Sequence, residues 1–222
     1  MLRKDFEEKF IKNKSLNTVS KEEVALLLGE EVALMVGYDQ NNSHHCYNLW
    51  EHSIATMQYI ECSENIFLRV AALFHDIGKP YVAKEKNGRT VFYGHAKKSA
   101  EICKSLLCEL GYTGDEVREI IFYIEHHDDF ISWVLPQEEY DHKNKYLVEI
   151  TALNLQKYIN KVSLQEQLML NKKHWEMLLE LCAADASAQA VEVWQGGKLV
   201  DTRAHKLAKV DAMKAVLHIV TV

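Results

Sequence analysis

Residues 66–80 read IFLRVAALFHDIGKP, and the rest of the chain falls into place around them. Ile66, Phe67, Leu68, Val70, Ala71, Ala72, Leu73 and Phe74 are apolar nearly all round the 66–77 helix they predict, which marks a helix enclosed by others. Gly78 suits the left-handed residue after a helix, and Pro80 cannot continue one. His75 and Asp76 therefore fall in the last turn of a buried helix. An imidazole and a carboxylate are costly there unless something satisfies them.

Upstream, the polar run 39–45 reads as a loop feeding a helix over 49–61, with His52 in its first turns. Ser20 and Glu23 have the form of a capping box before Val24, Leu26, Leu27 and Leu28, and 3–12 predicts one more helix. Downstream, two β-prone runs between Tyr81 and Tyr93 flank Asn87-Gly88, the dipeptide of type I′ hairpin turns and the only convincing strand signal. Apolar residues at spacings of three and four then predict helices over 95–110, 115–127, 145–159 and 164–190. Gly196-Gly197 makes a break before a last helix at 202–217, and proline occurs only at Pro80 and Pro136. The fold class is all-α, a helical bundle with one short β-hairpin at about 81–93. The expected organisation is an N-terminal helical extension (1–40), one domain (41–190) and a C-terminal helical extension packed on it (191–222).

Composition narrows the function classes. With 48% hydrophobic and 26% charged residues in 222, the chain has the balance of a globular protein. No apolar run approaches the roughly 20 residues of a membrane span, and the first residues are charged rather than signal-like, so a cytoplasmic location is expected. A net charge of −6 argues against strong duplex DNA binding. The five cysteines (Cys46, Cys62, Cys103, Cys108, Cys182) form no Cys-x-x-Cys pair and read as buried, reduced thiols. Of eleven histidines, His44, His45, His52, His75, His95, His126 and His127 crowd into positions 44–127, and such clustering calls for a chemical reason.

Polar residues on apolar helix faces supply that reason. The stripe Val117, Ile120, Ile121, Ile124 sets the buried direction of its helix; Asp128 falls near that direction with His127 beside it, while His126 points nearly opposite. Asp185 stands among Ala183, Ala184 and Ala186, where an unpaired carboxylate would be expensive, so a cationic partner is expected, a metal or an arginine. His52 shares a face with Ala55, Thr56 and Tyr59. Inward imidazoles and carboxylates from several helices suit divalent transition ions, whereas an all-oxygen set would suit Mg or Ca. His-Glu-x-x-His, Walker A, Gly-x-Ser-x-Gly and Gly-x-Gly-x-x-Gly signatures are all missing. Trp133, Trp175 and Trp194 read as core or interface anchors, and Lys143, Lys145, Lys172 and Lys173 as solvated helix faces. His142, His174, His205 and His218 have no partner pattern.

Trp50-Glu51-His52, Ala72 through Pro80, Gly94-His95, His127-Asp128 and Ala184-Asp185 together resemble the HD-domain phosphohydrolase superfamily. The resemblance is closest to the HD module of bacterial tRNA CCA-adding nucleotidyltransferases and to free-standing HD hydrolases, over roughly residues 40–189. It implies an HD-domain helical bundle in which His52, His75, Asp76 and Asp185 hold one metal ion. His95 and His127 then complete a second site, with Asp76 as the bridge. Two divalent ions are expected, drawn from Mn, Fe, Ni, Co, Zn or Mg. The roughly 40 residues before the match are too few for a nucleotidyltransferase domain, so nucleotide addition by that route is not expected.

The implied activity is hydrolysis of a phosphate ester by a metal-activated water, as a phosphomonoesterase or 2′,3′-cyclic phosphodiesterase on nucleotides or RNA ends. Asp76 would also orient or deprotonate that water. Lys79, just past the helix, would meet substrate phosphate as a point charge, helped by Lys84, Lys86 and Arg89. His45, Gln40 and the outward His126 are weaker candidates for substrate contact. The expected partner is a phosphorylated small molecule, a nucleotide or an RNA end. Two other readings stand beside this one: a 5′-nucleotidase or dinucleoside polyphosphate hydrolase, and a non-enzymatic RNA-binding helical module with structural metal.

Overall fold

A computed structural model describes residues 1–12, 19–60, 65–138, 144, 146–166, 168–195 and 198–222, without the side chains of Trp194 and Gln195. Cys62, His142, Lys143, Lys145, the Gly196-Gly197 break and the predicted helix end at Glu61 lie outside the described residues, as does the side chain of Trp194. At the centre is helix α5 (Ile66–Phe74), with Leu68 and Val70 through Phe74 buried. It packs against α4 (Leu49–Tyr59), α8 (Gly114–His126) and α10 (Lys172–Ser187). Local chemistry sets the starts of these helices. Asn48 and Glu51 form a capping box on α4, as do Thr113 and Glu116 on α8 and Asn171 and His174 on α10, while Asn65 caps α5. The amphipathic reading of α4 needs one change: Tyr59 is exposed, and His52 is buried instead with Ser53, Ile54, Thr56 and Met57.

The turn after α5 fixes the site. Gly78 adopts φ −75° and ψ −15°, right-handed rather than the left-handed conformation expected of it. Its requirement is space. A Cβ there would lie 2.5 Å from the His95 carbonyl oxygen and 2.6 Å from the Ser99 nitrogen. The Gly78 N–H donates to Ser99 Oγ at 2.9 Å, so the end of α5 is pressed against the start of α7 (His95–Glu109), where His95 sits. Between them run the short α6 (Lys79–Val82), with Pro80 in its first turn, and a hairpin of β1 (Lys84–Lys86) and β2 (Arg89–Val91). Asn87 (φ 53°) and Gly88 (φ 74°) form the expected hairpin turn.

Beyond α8 the structure departs from the periodicity. A helix over 145–159 was expected, but α9 spans Ala152–Gln165, because Thr151 accepts from the Asn154 N–H and caps it. The β-prone residues before it pair instead, β3 (Trp133–Val134) running parallel to β4 (Val148–Glu149). The predicted 164–190 helix divides: α9 closes at Gln165 and α10 opens afresh at Asn171. A second hairpin, β5 (Glu192–Gln195) with β6 (Lys198–Asp201), leads into α11 (Thr202–Leu217), so the 81–93 hairpin is joined by two further two-stranded pairs.

The two ends of the chain are docked on this frame. The segment predicted as one helix over 3–12 forms α1 (Arg3–Phe6) and a π-helical turn (Glu7–Ile11), with Phe6 stacked on Phe74 at 5.9 Å between centroids. The short helices α2 (Lys21–Leu28) and α3 (Glu30–Ala33) follow. Burying Phe6 and Phe10 is worth about 2–3 kcal/mol each. Helix α11 packs on α10 and α9. Trp133 and Trp175 are buried, as anchors should be. Of the thiols, Cys103 is buried and Cys182 half-buried, but Cys46 and Cys108 are exposed; those positions face solvent rather than the core. Among the described residues, no helix is long and apolar enough to cross a membrane.

Candidate metal centre

Four imidazoles converge at one end of the bundle. His52 comes from the second turn of α4, His75 from the C-cap of α5, His95 from the first residue of α7 and His127 from the C-cap of α8, and all four are buried. Each turns Nδ1 to a backbone carbonyl: His75 to Ala72 (2.8 Å), His95 to Phe92 (2.9 Å), His127 to Ile124 (2.7 Å) and His52 to Ala188 (3.4 Å). A hydrogen bond of this kind places the proton on Nδ1 and leaves the Nε2 lone pair free. The four Nε2 atoms then face two carboxylates.

Asp76 Oδ2 lies 3.4 Å from His52 Nε2 and 3.2 Å from His75 Nε2, while Oδ1 lies 3.0 Å from His95 Nε2 and 3.7 Å from His127 Nε2. Asp185 Oδ1 stands 2.9 Å from His52 Nε2 and 3.6 Å from His75 Nε2. Two donor groups result, His52/His75/Asp76 and Asp76/His95/His127, sharing Asp76. The donors fit divalent cations on a test internal to the protein. His52 Nε2, His75 Nε2 and Asp76 Oδ1 are buried without a hydrogen-bond partner, and His95 Nε2 faces His127 Nε2 at 3.1 Å, an arrangement two lone pairs do not tolerate alone. A mixed imidazole and carboxylate set is the chemistry of borderline transition ions.

The electrostatics point the same way. Burial opposes charge on His75, but Asp76 and Asp185 outweigh it and raise its pKa to about 10. Burial would raise Asp76 and Asp185, yet their neighbours hold both well below the carboxylate range: the charges of His75 and Lys79 for Asp76, the contacts of His52 and His75 for Asp185. His95 is raised, burial being offset by Asp76. The site thus attracts positive charge, and a proton on His75 competes with a metal for the same lone pair.

Residues 49–154 match the HD domain family. This stretch is similar to an HD domain. Such domains form a superfamily of metal-dependent phosphohydrolases that bind divalent ions. Over 104 residues the chain is 34% identical to the CC-adding tRNA nucleotidyltransferase of Thermus thermophilus, covering 45% of this chain and 24% of that protein. Over 96 residues it is 28% identical to the A-adding tRNA nucleotidyltransferase of Deinococcus radiodurans, covering 41% and 22%. The chain therefore spans about a quarter of the length of these relatives. Asp185 lies beyond the matched HD stretch and is brought to it by α10.

The remaining predicted residues sort by position. Lys79 is buried at the HD pair, with Nζ 2.7 Å from Asp76 Oδ2, donating to Gln40 Oε1 at 2.8 Å and 3.4 Å from His45 Nε2. Gln40 is itself buried and lies behind Lys79 rather than in the open. Burial and Lys79 push His45 down to about 2, so its ring is neutral and accepts. His126 is not outward: it is buried against Phe122, with Nδ1 2.7 Å from Asp129 Oδ2 and Nε2 3.1 Å from Glu166 Oε1. Both its nitrogens are engaged away from the HD cluster. The correction follows from α8 ending at His126, so the 100° rule that made His126 and His127 opposites describes two sides that are both covered.

Sequence reading passed over Lys206 and Gln189. Gln189 Nε2 donates to both Asp185 oxygens at 3.1 Å, and Lys206 Nζ donates to Gln189 Oε1. A signal was available, since Lys206 shares the spacing of Thr202, Val210, Met213 and Leu217, the buried face of α11.

Proposed function

We propose that the protein is a metal-dependent phosphohydrolase acting on a phosphate monoester or a 2′,3′-cyclic phosphodiester of nucleotides or RNA ends. The observation that carries this reading is the set of four buried imidazoles, each pinned through Nδ1, whose Nε2 atoms converge on Asp76 and Asp185. His52, His75, Asp76 and Asp185 would hold one divalent ion, and Asp76, His95 and His127 a second. Mn, Fe, Co, Ni, Zn and Mg are the candidate ions. When bound, such ions supply Lewis acidity that acidifies a water and neutralises charge gathering on phosphorus oxygens.

The chain's own residues supply positioning. The backbone carbonyls of Ala72, Phe92, Ile124 and Ala188 fix ring orientation, so little reorganisation remains when substrate arrives. Asp76 orients or takes the proton of the attacking water. Lys79 has three N–H donors, directed at Asp76, Gln40 and His45. The His45 contact, at 3.4 Å, is the weakest and is the one a substrate phosphate would replace. His45 and Gln40 act by holding Lys79. In this reading residues 41–190 form the hydrolase domain, 1–40 and 191–222 are helical extensions, and the location is cytoplasmic.

A panel of an aryl phosphate, 2′,3′-cyclic nucleotides, 5′-nucleotides and dinucleoside polyphosphates, assayed with metal-loaded protein, tests the proposal and separates the nucleotide-specific alternatives. Turnover of one class, lost in Asp76→Ala, is expected. Silence on every ester from protein with full metal content would refute it and leave the RNA-binding reading.

A further inference from the structure

A cavity of about 480 Å³ opens beside the metal centre, running from His127 and Asp185 to the C-terminal helix α11. That volume lies in the range of sites that enclose a small molecule, roughly 300–1,000 Å³. A larger depression of about 860 Å³ lies by Arg3, Asn65 and Tyr123, but it touches none of the converging imidazoles. Placement relative to the donors, not size, singles out the smaller one.

Its walls are mixed. The lining combines polar residues, among them Asp185, Gln189, Lys206 and Lys209, with apolar ones, among them Phe130, Val210 and Met213, and the Lys209 amine donates to the Ile131 carbonyl. Helix α11 contributes residues of both kinds, because Thr202, Lys206, Val210 and Met213 lie on one face. A lysine on an otherwise buried stripe is costly to desolvate, and burial does lower the Lys206 pKa. Its only hydrogen-bond partner among the described residues is the neutral Gln189 Oε1, and no carboxylate there forms an ion pair with it. Gln189 in turn spends its N–H groups on Asp185. Lys206 therefore lines the cavity beside Asp185 and Gln189 with no carboxylate in contact among the described residues, although Asp185 and Asp128 lie near enough to favour its charge.

We infer, on the phosphohydrolase reading of the same site, that this cavity takes a nucleoside-sized phosphate monoester, its phosphate between the metal donors and Lys206 and its base against Phe130, Val210 and Met213. Specificity then comes from α11, outside the matched residues 49–154. The pairing of a half-buried cation with an apolar slot asks for an anionic group joined to a flat apolar one. Inorganic phosphate fills the first half and a sugar phosphate little more.

Calorimetric titration of the metal-loaded full chain with AMP and ribose 5-phosphate, each as its non-hydrolysable phosphonate, and with inorganic phosphate tests this. AMP should bind at least about fivefold more tightly than ribose 5-phosphate. Lys206→Met should weaken all three by about tenfold or more, as expected for a lost charge-assisted hydrogen bond, with metal content unchanged and the melting temperature no lower. Lys206→Arg should recover most of the loss. The double variant Ile131→Gln/Val200→Gln, at exposed positions of the apolar wall, should weaken AMP at least threefold and leave inorganic phosphate alone. AMP binding no tighter than ribose 5-phosphate, or unchanged by Lys206→Met, would overturn the assignment, as would tight binding of an RNA oligomer indifferent to both variants. Failure here with ester turnover intact removes only the cavity assignment; turnover of no ester removes the hydrolase reading, and the titration still decides what the cavity binds.

Discussion

At the end of α8, His126 turns toward Asp129, Glu166 and Tyr158, while His127, one residue on, turns toward Asp76, His75 and His95. Both rings are buried, and both lie near carboxylates. In the first cluster the protein closes every account: Nδ1 meets Asp129, Nε2 meets Glu166, and Tyr158 donates to Asp129 at 2.6 Å. In the second, Nδ1 is tied to the Ile124 carbonyl and Nε2 is left facing another nitrogen. A histidine whose partners are complete stabilises a fold, and one left with a pinned ring and a free lone pair is built for something the chain does not itself contain.

The largest effect that would break this contrast comes from the two aspartates. Asp76→Ala removes the carboxylate common to both donor groups, so turnover should fall about 10³-fold or more, some 4 kcal/mol, and metal content should fall with it. Asp129→Ala should leave turnover within about threefold. Steady-state assays beside elemental analysis check both. Next come the histidines, compared by thermal melts of metal-free protein. His126→Ala strands Asp129 and Glu166 and should cost about 2 kcal/mol. His127→Ala removes a poorly satisfied ring and should cost less; a reversed order would undo the distinction.

Acid–base behaviour sharpens the comparison further. Metal must displace the proton that Asp76 and Asp185 hold on His75, whose pKa is raised to about 10, so apparent metal affinity should climb by up to tenfold per unit between about pH 7 and 9. A flat profile measured by competitive chelation would contradict it. The smallest effect is on stability. Burial opposes charge on His126 but Asp129 and Glu166 raise its pKa, so its contribution is complete below about pH 6.5 and fades as pH rises through the raised value. His126→Ala should flatten that part of the stability profile, as denaturant unfolding at several pH values would show.

Much of the site was legible in the chain because helical spacing carries direction. The apolar run before His75 implied burial, and burial made the HD pair conspicuous. Asp185 among alanines was legible for the same reason. Facing was read less well where helices end: His126 looked outward because the 100° rule knows one buried side, whereas α9 and the chain after it cover the other. Gly78 was read as a backbone requirement when its cause is the close approach of His95 and Ser99, a contact between segments that sequence does not display. The split at Asn171 was hidden because its capping box closes on a histidine, His174, rather than the usual acid at the third position. Lys206 went unremarked although its place on an apolar stripe marked it as plainly as Asp185.

The most direct test is the metal stoichiometry of the full chain, loaded with Mn²⁺ and freed of excess, by elemental analysis of wild type, His126→Ala and His127→Ala. Two ions per chain are expected in wild type and in His126→Ala, and fewer in His127→Ala, since only His127 belongs to a donor group. Equal stoichiometry in wild type and His127→Ala, or loss in His126→Ala, would contradict the division between a completed cluster and an open one.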